Sequence, residues 1–285
     1  MATRCLYLDG VEGMKTLQCT TVMVNCRLKE PSHAPSPAAV PAVVYDVVLG
    51  STVMYPQGGG QPSDNGILTI STNPPLVFNV TDVRSESGVV HHYGQFAAAT
   101  ADPLPEAGTP VEVSVDPRRR ALNSALHSAG HLLDSCMRRI GCNLFPTKGY
   151  HFPPSPYVEY EGQIPAELKE TIVQRLQEAV TDAIARNEPV AIRPVAPSDL
   201  QSICDAGLFA HGNPYASLPE VRVVTLAGAA CPCGGTHVTH VGDLKQVCPP
   251  WPFGGGTQGD MVVIEKVKAK GKNIRVSYAL PTFAA

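Results

Sequence analysis

A chain of 285 residues with 44% hydrophobic and 16% charged residues holds enough apolar material for one large domain or two ordinary ones, which excludes global disorder. Its formal net charge of -3 excludes a chain-wide basic field, so any nucleic-acid contact has to come from local patches. Pro 27 and Gly 25 favour turns and long loops over a helical bundle.

The first part of the chain reads as β. Residues 17–28 are rich in Thr, Val and Cys, and residues 43–49, 66–70, 76–83 and 111–115 have strand character. Residues 29–41 form a polar, Pro- and Ala-rich insert, expected as a surface loop. Short strands without helical periodicity point to a small barrel or sandwich. The character changes at Asp116-Pro117, a helix start signal. Residues 118–139 then read as a helix, with Leu122, Leu126, Leu133 and Met137 at helical spacing. Residues 157–161 alternate like a strand. Pro165 is expected to open a second long helix running to about Asn187, with Ile172, Leu176, Val180 and Ile184 in helical spacing. Strands are expected at 190–193 and 220–227, and a final pair at 261–267 and 274–278 flanks a Lys-Gly-Lys turn. Residues 247–259 are a second insert, containing Trp251. The predicted fold class is therefore α+β. A small β-barrel-like domain covers 1–115, and a domain of long helices packed on an antiparallel sheet covers 116–285.

Nine cysteines are present: Cys5, Cys19, Cys26, Cys136, Cys142, Cys204, Cys231, Cys233 and Cys248. The number is odd and the spacing irregular. Residues 1–10 hold no apolar run of useful length, and no stretch approaches a membrane span. The expectation is a cytoplasmic chain with reduced thiols, no membrane association and no obligate protein partner.

The strongest chemical signal is split. His127-Ser-Ala-Gly-His131 places two imidazoles four residues apart, on one face of the predicted helix. Cys233-Gly-Gly-Thr-His237 follows roughly a hundred residues on, with a thiol and an imidazole at the same spacing around a pair of glycines that lets the backbone bend sharply. Imidazole nitrogen with thiolate sulfur is a donor set that suits Zn2+. Cys231 and His240 are near enough to substitute, but the equal spacing favours Cys233 and His237. A metalloprotease is disfavoured because no glutamate follows His127.

Tyr55-Pro-Gln-Gly-Gly-Gly-Gln-Pro-Ser-Asp-Asn-Gly66 lacks the lysine and spacing of a nucleotide-binding P-loop. Its glycines Gly58, Gly59 and Gly60 can let backbone amides approach phosphate or sugar. From the residues alone, a tight turn in a β domain is the better reading. Arg118, Arg119 and Arg120 stand at a helix start, where the helix dipole disfavours cations, so they read as phosphate contacts or as a solvated face. Lys266, Lys268, Lys270, Lys272 and Arg275 form a basic hairpin whose one-sided alternation makes it the stronger phosphate patch.

Taken together, H-S-A-G-H-L-L followed by C-G-G-T-H-V resembles the editing domain of alanyl-tRNA synthetase. The Y-P-Q-G-G-G-Q-P-S-D-N-G stretch resembles the glycine-rich motif of the β domain that precedes it. A chain carrying both, without the length of a synthetase body, is similar to the AlaX trans-editing deacylases. The resemblance implies ATP-independent hydrolysis of mischarged tRNA(Ala), chiefly Ser-tRNA(Ala) and also Gly-tRNA(Ala). It implies zinc on His127, His131, Cys233 and His237, and tRNA engagement by Gly58 to Gly60; from their charge, Arg118, Lys266, Lys268 and Lys272 are expected as further tRNA contacts. Thr236 and Lys148 are the candidate catalytic contacts to the ester or terminal adenosine. Where the synthetases carry a Gln-Lys-Gly-Ser-like sequence, this chain reads Pro146-Thr-Lys-Gly-Tyr-His-Phe152, which touches on side-chain selectivity. The rival readings are a deacylase for Thr-charged tRNA or another metal-dependent ester hydrolase, and a non-enzymatic RNA-binding module with structural zinc.

Overall fold

The computed structural model describes residues 2–29, 43–97, 103–209, 212–245 and 262–280. The insert at 247–259 and all of the insert at 29–41 except Lys29 lie outside the described residues. The chain divides into two compact units: Met1–Gly58 with Pro62–Arg120, and Gly59–Gln61 with Ala121–Ala285. The class is α+β, with a closed barrel and two antiparallel sheets.

In the first unit, six strands close on themselves: β1 (Gln18–Leu28), β2 (Tyr45–Leu49), β3 (Gly66–Ile70), β4 (Leu76–Glu86), β5 (Val89–Phe96) and β6 (Pro110–Val115), in the spatial order β1-β2-β5-β4-β3-β6. Alternation decides which side chains fill the barrel: Leu68 and Ile70, Phe78 and Val80, and Val111, Val113 and Val115 all point inward and are buried. Between Val80 and Asp82 the register slips, so Val83 rather than Asp82 takes the next inward place. Strand β5 was not anticipated, because the His91-His92 pair masks its alternation. His92 nevertheless lies inside, its Nδ1 3.0 Å from the Val47 carbonyl and its Nε2 2.9 Å from the Thr52 hydroxyl.

Helix α1 (Pro117–Arg139) starts where the Asp116 carboxylate accepts the amides of Arg118 and Arg119. The arginine triplet splits at once. Arg118 is exposed, whereas Arg120 is only 4% exposed and turns back into the first unit. Its guanidinium reaches the buried Asp64 through Nε and Nη2 and donates to the carbonyls of Met14 (2.8 Å) and Val53 (2.6 Å). Arg120 is thus a structural cation, not a phosphate contact.

In the second unit, β7 (Phe145–Tyr150), β8 (Tyr157–Glu161), β12 (Val263–Lys270) and β13 (Asn273–Ala279) form one sheet in the order β12-β13-β8-β7. A second sheet joins β9 (Ala191–Val195), β10 (Val221–Leu226) and β11 (Ala229–Pro232). One apolar cluster collects Leu126, Leu132, Leu133 and Met137 of α1 with Val158, Tyr160, Val276 and Tyr278 of the sheet. The second long helix is shorter than expected. Pro165 leads into a single 3-10 turn, Ala166–Leu168, whose Leu168 tucks into the core. Residues 169–171 form a turn, and α2 runs only from Ile172 to Arg186. It stops at Asn187, in left-handed backbone, whose side-chain oxygen accepts the Gly242 amide. Among the described residues no helix is long and apolar enough to cross a membrane.

The Asp64–Arg120 pair yields a stability prediction. Truncating one partner of a buried charge pair strands the other, at about 3–5 kcal/mol. Arg120→Ala is expected to lower unfolding free energy by that amount in urea titrations followed by circular dichroism, while Arg118→Ala stays within about 0.5 kcal/mol of the parent.

Candidate metal centre

Helix α1 carries an unusual stripe. Ser124, His127, Ser128 and His131 sit at i, i+3, i+4 and i+7, so they line one face of the helix. All are buried or half-buried. The segment Cys233–His237 follows strand β11 and lies against this stripe, held by two of its serines. Ser124 Oγ is 2.8 Å from the Thr236 hydroxyl, and Ser128 Oγ accepts the Val238 amide at 3.1 Å. The two halves of the sequence signal meet there. One ligand atom from each of His127, His131, Cys233 and His237 lies within 4.8 Å of the others.

The geometry can be compared with that of an ion. Tetrahedral zinc with its usual bond lengths sets its nitrogens about 3.3 Å apart and a nitrogen about 3.6 Å from the sulfur. His127 Nε2 is 3.2 Å from His131 Nε2, and Cys233 Sγ is 3.6 Å from His127 Nε2 and 3.3 Å from His237 Nε2. Three Nε2 atoms and one sulfur therefore face a common centre, while every Nδ1 is engaged on the outside. His127 Nδ1 donates to Gln61 Oε1 (2.7 Å), His237 Nδ1 meets Ser128 Oγ (3.2 Å), and His131 Nδ1 meets Cys231 Sγ (3.1 Å). Outer partners of this kind fix the imidazole tautomer and leave the inner nitrogen lone pair available to a cation. These four residues could hold a metal, and their donor set is consistent with zinc.

Burial sets the protonation. It pushes His131 down to about 4, assisted by the Arg222 guanidinium. It holds His127 and His237 well below the usual imidazole range, with neighbouring histidines adding to the effect. All three rings are therefore neutral, the form that ligates. The Cys233 thiol is pushed up by burial, partly offset by the Gly235 amide and by Arg222, so an arriving cation would displace its proton.

The structure separates the alternatives left open by the sequence. Cys231 stands behind His131, on its Nδ1 side, rather than among the inward-facing atoms. His240 is exposed and its ring contacts Thr239. Thr236 was expected to touch the ester. Its side chain is 0% exposed and its hydroxyl is shared between Gln61 Nε2 (2.9 Å) and Ser124, so Thr236 positions the ligand-bearing turn. Lys148, the other residue expected at the ester, lies in a strand. It pairs with Glu159 across β7 and β8, on the face of the sheet opposite buried Val158, Val276 and Tyr278. It therefore points away from the centre.

Several residues of the site escaped the sequence reading. Gln61 stood in the glycine-rich motif but drew no attention, yet its Oε1 accepts both His127 Nδ1 and the Thr236 amide (3.0 Å). Gly59 and Gly60 deliver it through left-handed backbone. A Cβ on Gly60 would meet the Gly149 carbonyl at 2.3 Å, and one on Gly235 would meet the His127 ring at 2.1 Å, so both positions need glycine for close approach. His151 stacks on His127 with centroids 4.7 Å apart. Its Nδ1 donates to the Tyr278 hydroxyl (2.7 Å), which itself donates to the Leu126 carbonyl. The serine spacing on α1 was the signal that could have exposed this shell.

The fold and the site thus define a protein of barrel and sheets with a four-donor candidate metal centre. Comparison with known proteins narrows this. Residues 14–119 match the family described as tRNA synthetases class II (A). The alanine–tRNA ligase of Leptospira borgpetersenii serovar Hardjo-bovis is 31% identical over 199 residues, covering 70% of this chain and 20% of that protein. Alanine–tRNA ligases of Burkholderia multivorans (30% over 199 residues) and Bdellovibrio bacteriovorus (29% over 205 residues) each cover 70% of this chain and 21% of their own length. The chain spans about a fifth of the length of these curated relatives. The chain is thus alanyl-tRNA synthetase-like, similar to one part of those ligases.

Gln61→Leu, which keeps bulk but removes the acceptor for His127, is expected to weaken zinc binding about 10- to 100-fold in competition with a chromogenic chelator. Cys233→Ala is expected to lower bound zinc per chain; undiminished stoichiometry would reject Cys233 as a ligand.

Proposed function

We propose that this chain is a zinc-dependent hydrolase that acts in trans on mischarged tRNA(Ala), with Ser-tRNA(Ala) as the chief substrate and Gly-tRNA(Ala) as a second. The observation that carries the reading is the convergence of His127, His131, Cys233 and His237 in a chain related to alanine–tRNA ligases. When bound, zinc supplies a Lewis acid and lowers the pKa of a coordinated water toward neutrality.

The chain's own groups supply placement. Gln61 and His151 hold the His127 ring from its edge and its face. Ser124 and Ser128 hold the turn that carries Cys233 and His237. His127 and His237 are buried, whereas His131 and Cys233 are half-exposed and Gly234 is exposed, so access to the cluster is from their side. An aminoacyl ester approaching there would lose its link to the terminal ribose by addition of water, yielding the free amino acid and a free ribose hydroxyl. Selection of serine over alanine requires a polar group that pairs with the substrate hydroxyl, since such a site rejects an analogue lacking it by large factors. The amides of Gly58 to Gly60, together with Arg118, Lys266, Lys268 and Lys272, are the groups proposed to meet tRNA.

One observation favours a second reading. Four protein donors fill a tetrahedron, the pattern of a structural zinc, and a tRNA-binding module would need no more. A deacylation assay separates the two. The zinc-loaded chain is expected to release serine, and more slowly glycine, from tRNA(Ala), to spare Ala-tRNA(Ala), and to lose activity on chelation. Hydrolysis of none of the three above background would overturn the tRNA(Ala) deacylase reading.

A further inference from the structure

The sheet that holds Tyr278 and Val276 against the core has a second face, and that face is not apolar. Register places its residues in rows across the strands. Tyr150, Tyr157, Ser277 and Lys266 form one row, and Lys148, Glu159, Arg275 and Lys268 the next. Three rings make a column: Phe152 on Tyr150 at 4.8 Å and Tyr150 on Tyr157 at 5.0 Å, with interplanar angles of 22° and 17°. The Arg275 guanidinium closes one end, 3.7 Å above the Tyr157 ring. Tyr150 is 37% exposed, and Phe152 at the other end is half-exposed.

The charge on this face is mainly positive: register places Lys148, Lys266, Lys268, Lys270 and Arg275 on it against Glu159 and the exposed Glu161. Glu159 is its inner carboxylate, and it is consumed by Lys270 (2.8 Å) and Arg275 (2.6 Å), which hold it ionised and pull its pKa down. Lys148, Lys266 and Lys268 are exposed and form no ion pair among the described residues. A side-chain hydrogen bond with Lys268, and then its positive charge, push the pKa of Lys266 down, so two cations stand close together here. In a chain of net charge -3, this is a local positive island.

Planar groups stacked in line, flanked by cations on an open antiparallel sheet, match one ligand chemistry better than others. Nucleobases offer planar faces that extend such a column, and their phosphates meet the lysines. A duplex buries its base faces and could use only the charge. We propose that the solvent face of the β12-β13-β8-β7 sheet binds single-stranded RNA, with an unpaired base stacking on the Phe152–Tyr150–Tyr157 column and Lys148, Lys266 and Lys268 on its phosphates. This adds base recognition to the hairpin lysines and uses neither the candidate metal centre nor any ester, so it stands apart from the hydrolytic reading.

The test is a fluorescence anisotropy titration of the full chain with a labelled unpaired oligoribonucleotide of about ten nucleotides. A duplex RNA of equal length is the comparison, at about 50 and about 200 mM salt. The single strand is expected to bind more tightly than the duplex. Tyr150→Ala and Phe152→Ala should each weaken it about 5- to 150-fold, the range of one base stack, while Tyr150→Phe and Phe152→Tyr bind like the parent. Replacing Lys266 and Lys268 together by Ala should reduce the slope of log affinity on log salt by about 1.4. Melting temperature and zinc content, measured on every variant, identify any that fails to fold, and the conservative variants keep the test alive in that case. Equal binding of folded alanine variants and parent would overturn the proposal. So would duplex binding as tight as single-strand binding, or binding of acidic peptides or anionic vesicles with none of RNA. Stacking-dependent RNA binding by a chain that deacylates nothing would sink the hydrolytic reading and leave this one standing; deacylation with no single-strand binding would do the reverse.

Discussion

One side-chain amide organises the second unit of this protein. Gln61 is wholly buried, and a carboxamide has a fixed acceptor end and a fixed donor end. Its oxygen receives two N–H groups, from the His127 ring and the Thr236 backbone, so its nitrogen must face the Thr236 hydroxyl. That orientation dictates the His127 tautomer: the proton sits on Nδ1, and Nε2 turns a lone pair toward His131 and Cys233. The same amide anchors the turn that brings Cys233 and His237 to the helix. A buried polar group of this kind is costly unless it is hydrogen-bonded, and here the oxygen accepts twice while the nitrogen donates to the Thr236 hydroxyl.

Helix α1 answers a related difficulty. A helix packed in a core has no ready place for two imidazoles and two hydroxyls. It accommodates them because they fall on one face and each meets a partner there: Ser124 with Thr236, Ser128 with Val238 and His237, His127 with Gln61, and His131 with Cys231. Apolar positions such as Leu126, Leu132, Leu133 and Met137 take the remaining surface. Burial then keeps the imidazoles neutral, so the packing that stabilises the helix also prepares its nitrogens for a cation.

The four-stranded sheet serves two environments with one backbone. Toward the core it presents Val158, Tyr160, Val276 and Tyr278, and the Tyr278 hydroxyl links the Leu126 carbonyl to His151. Toward solvent it presents stacked aromatic rings and lysines. Strand alternation, with a bulge between Ile264 and Lys266, separates the two sets. It explains why Lys148 and His151, three residues apart and on either side of a strand end, have different fates.

The histidine pair on a helix, the Cys-Gly-Gly-Thr-His turn and the β-then-α+β order were legible from local pattern, because helix and strand periodicity and metal-ligand chemistry are properties of short stretches. So was the kinship, since the motifs travel together. Strands β5, β7 and β11 were not. Their residues include His, Pro, Lys and Gly, and they are strands because neighbours pair with them. The roles of Gln61, Arg120, Thr236 and Lys148 also lay beyond the sequence. Each depends on which distant atoms surround the side chain. Composition and spacing determined which chemistry the chain carries; only the tertiary packing decided which of those groups face the centre, which support it from behind, and which look out to solvent.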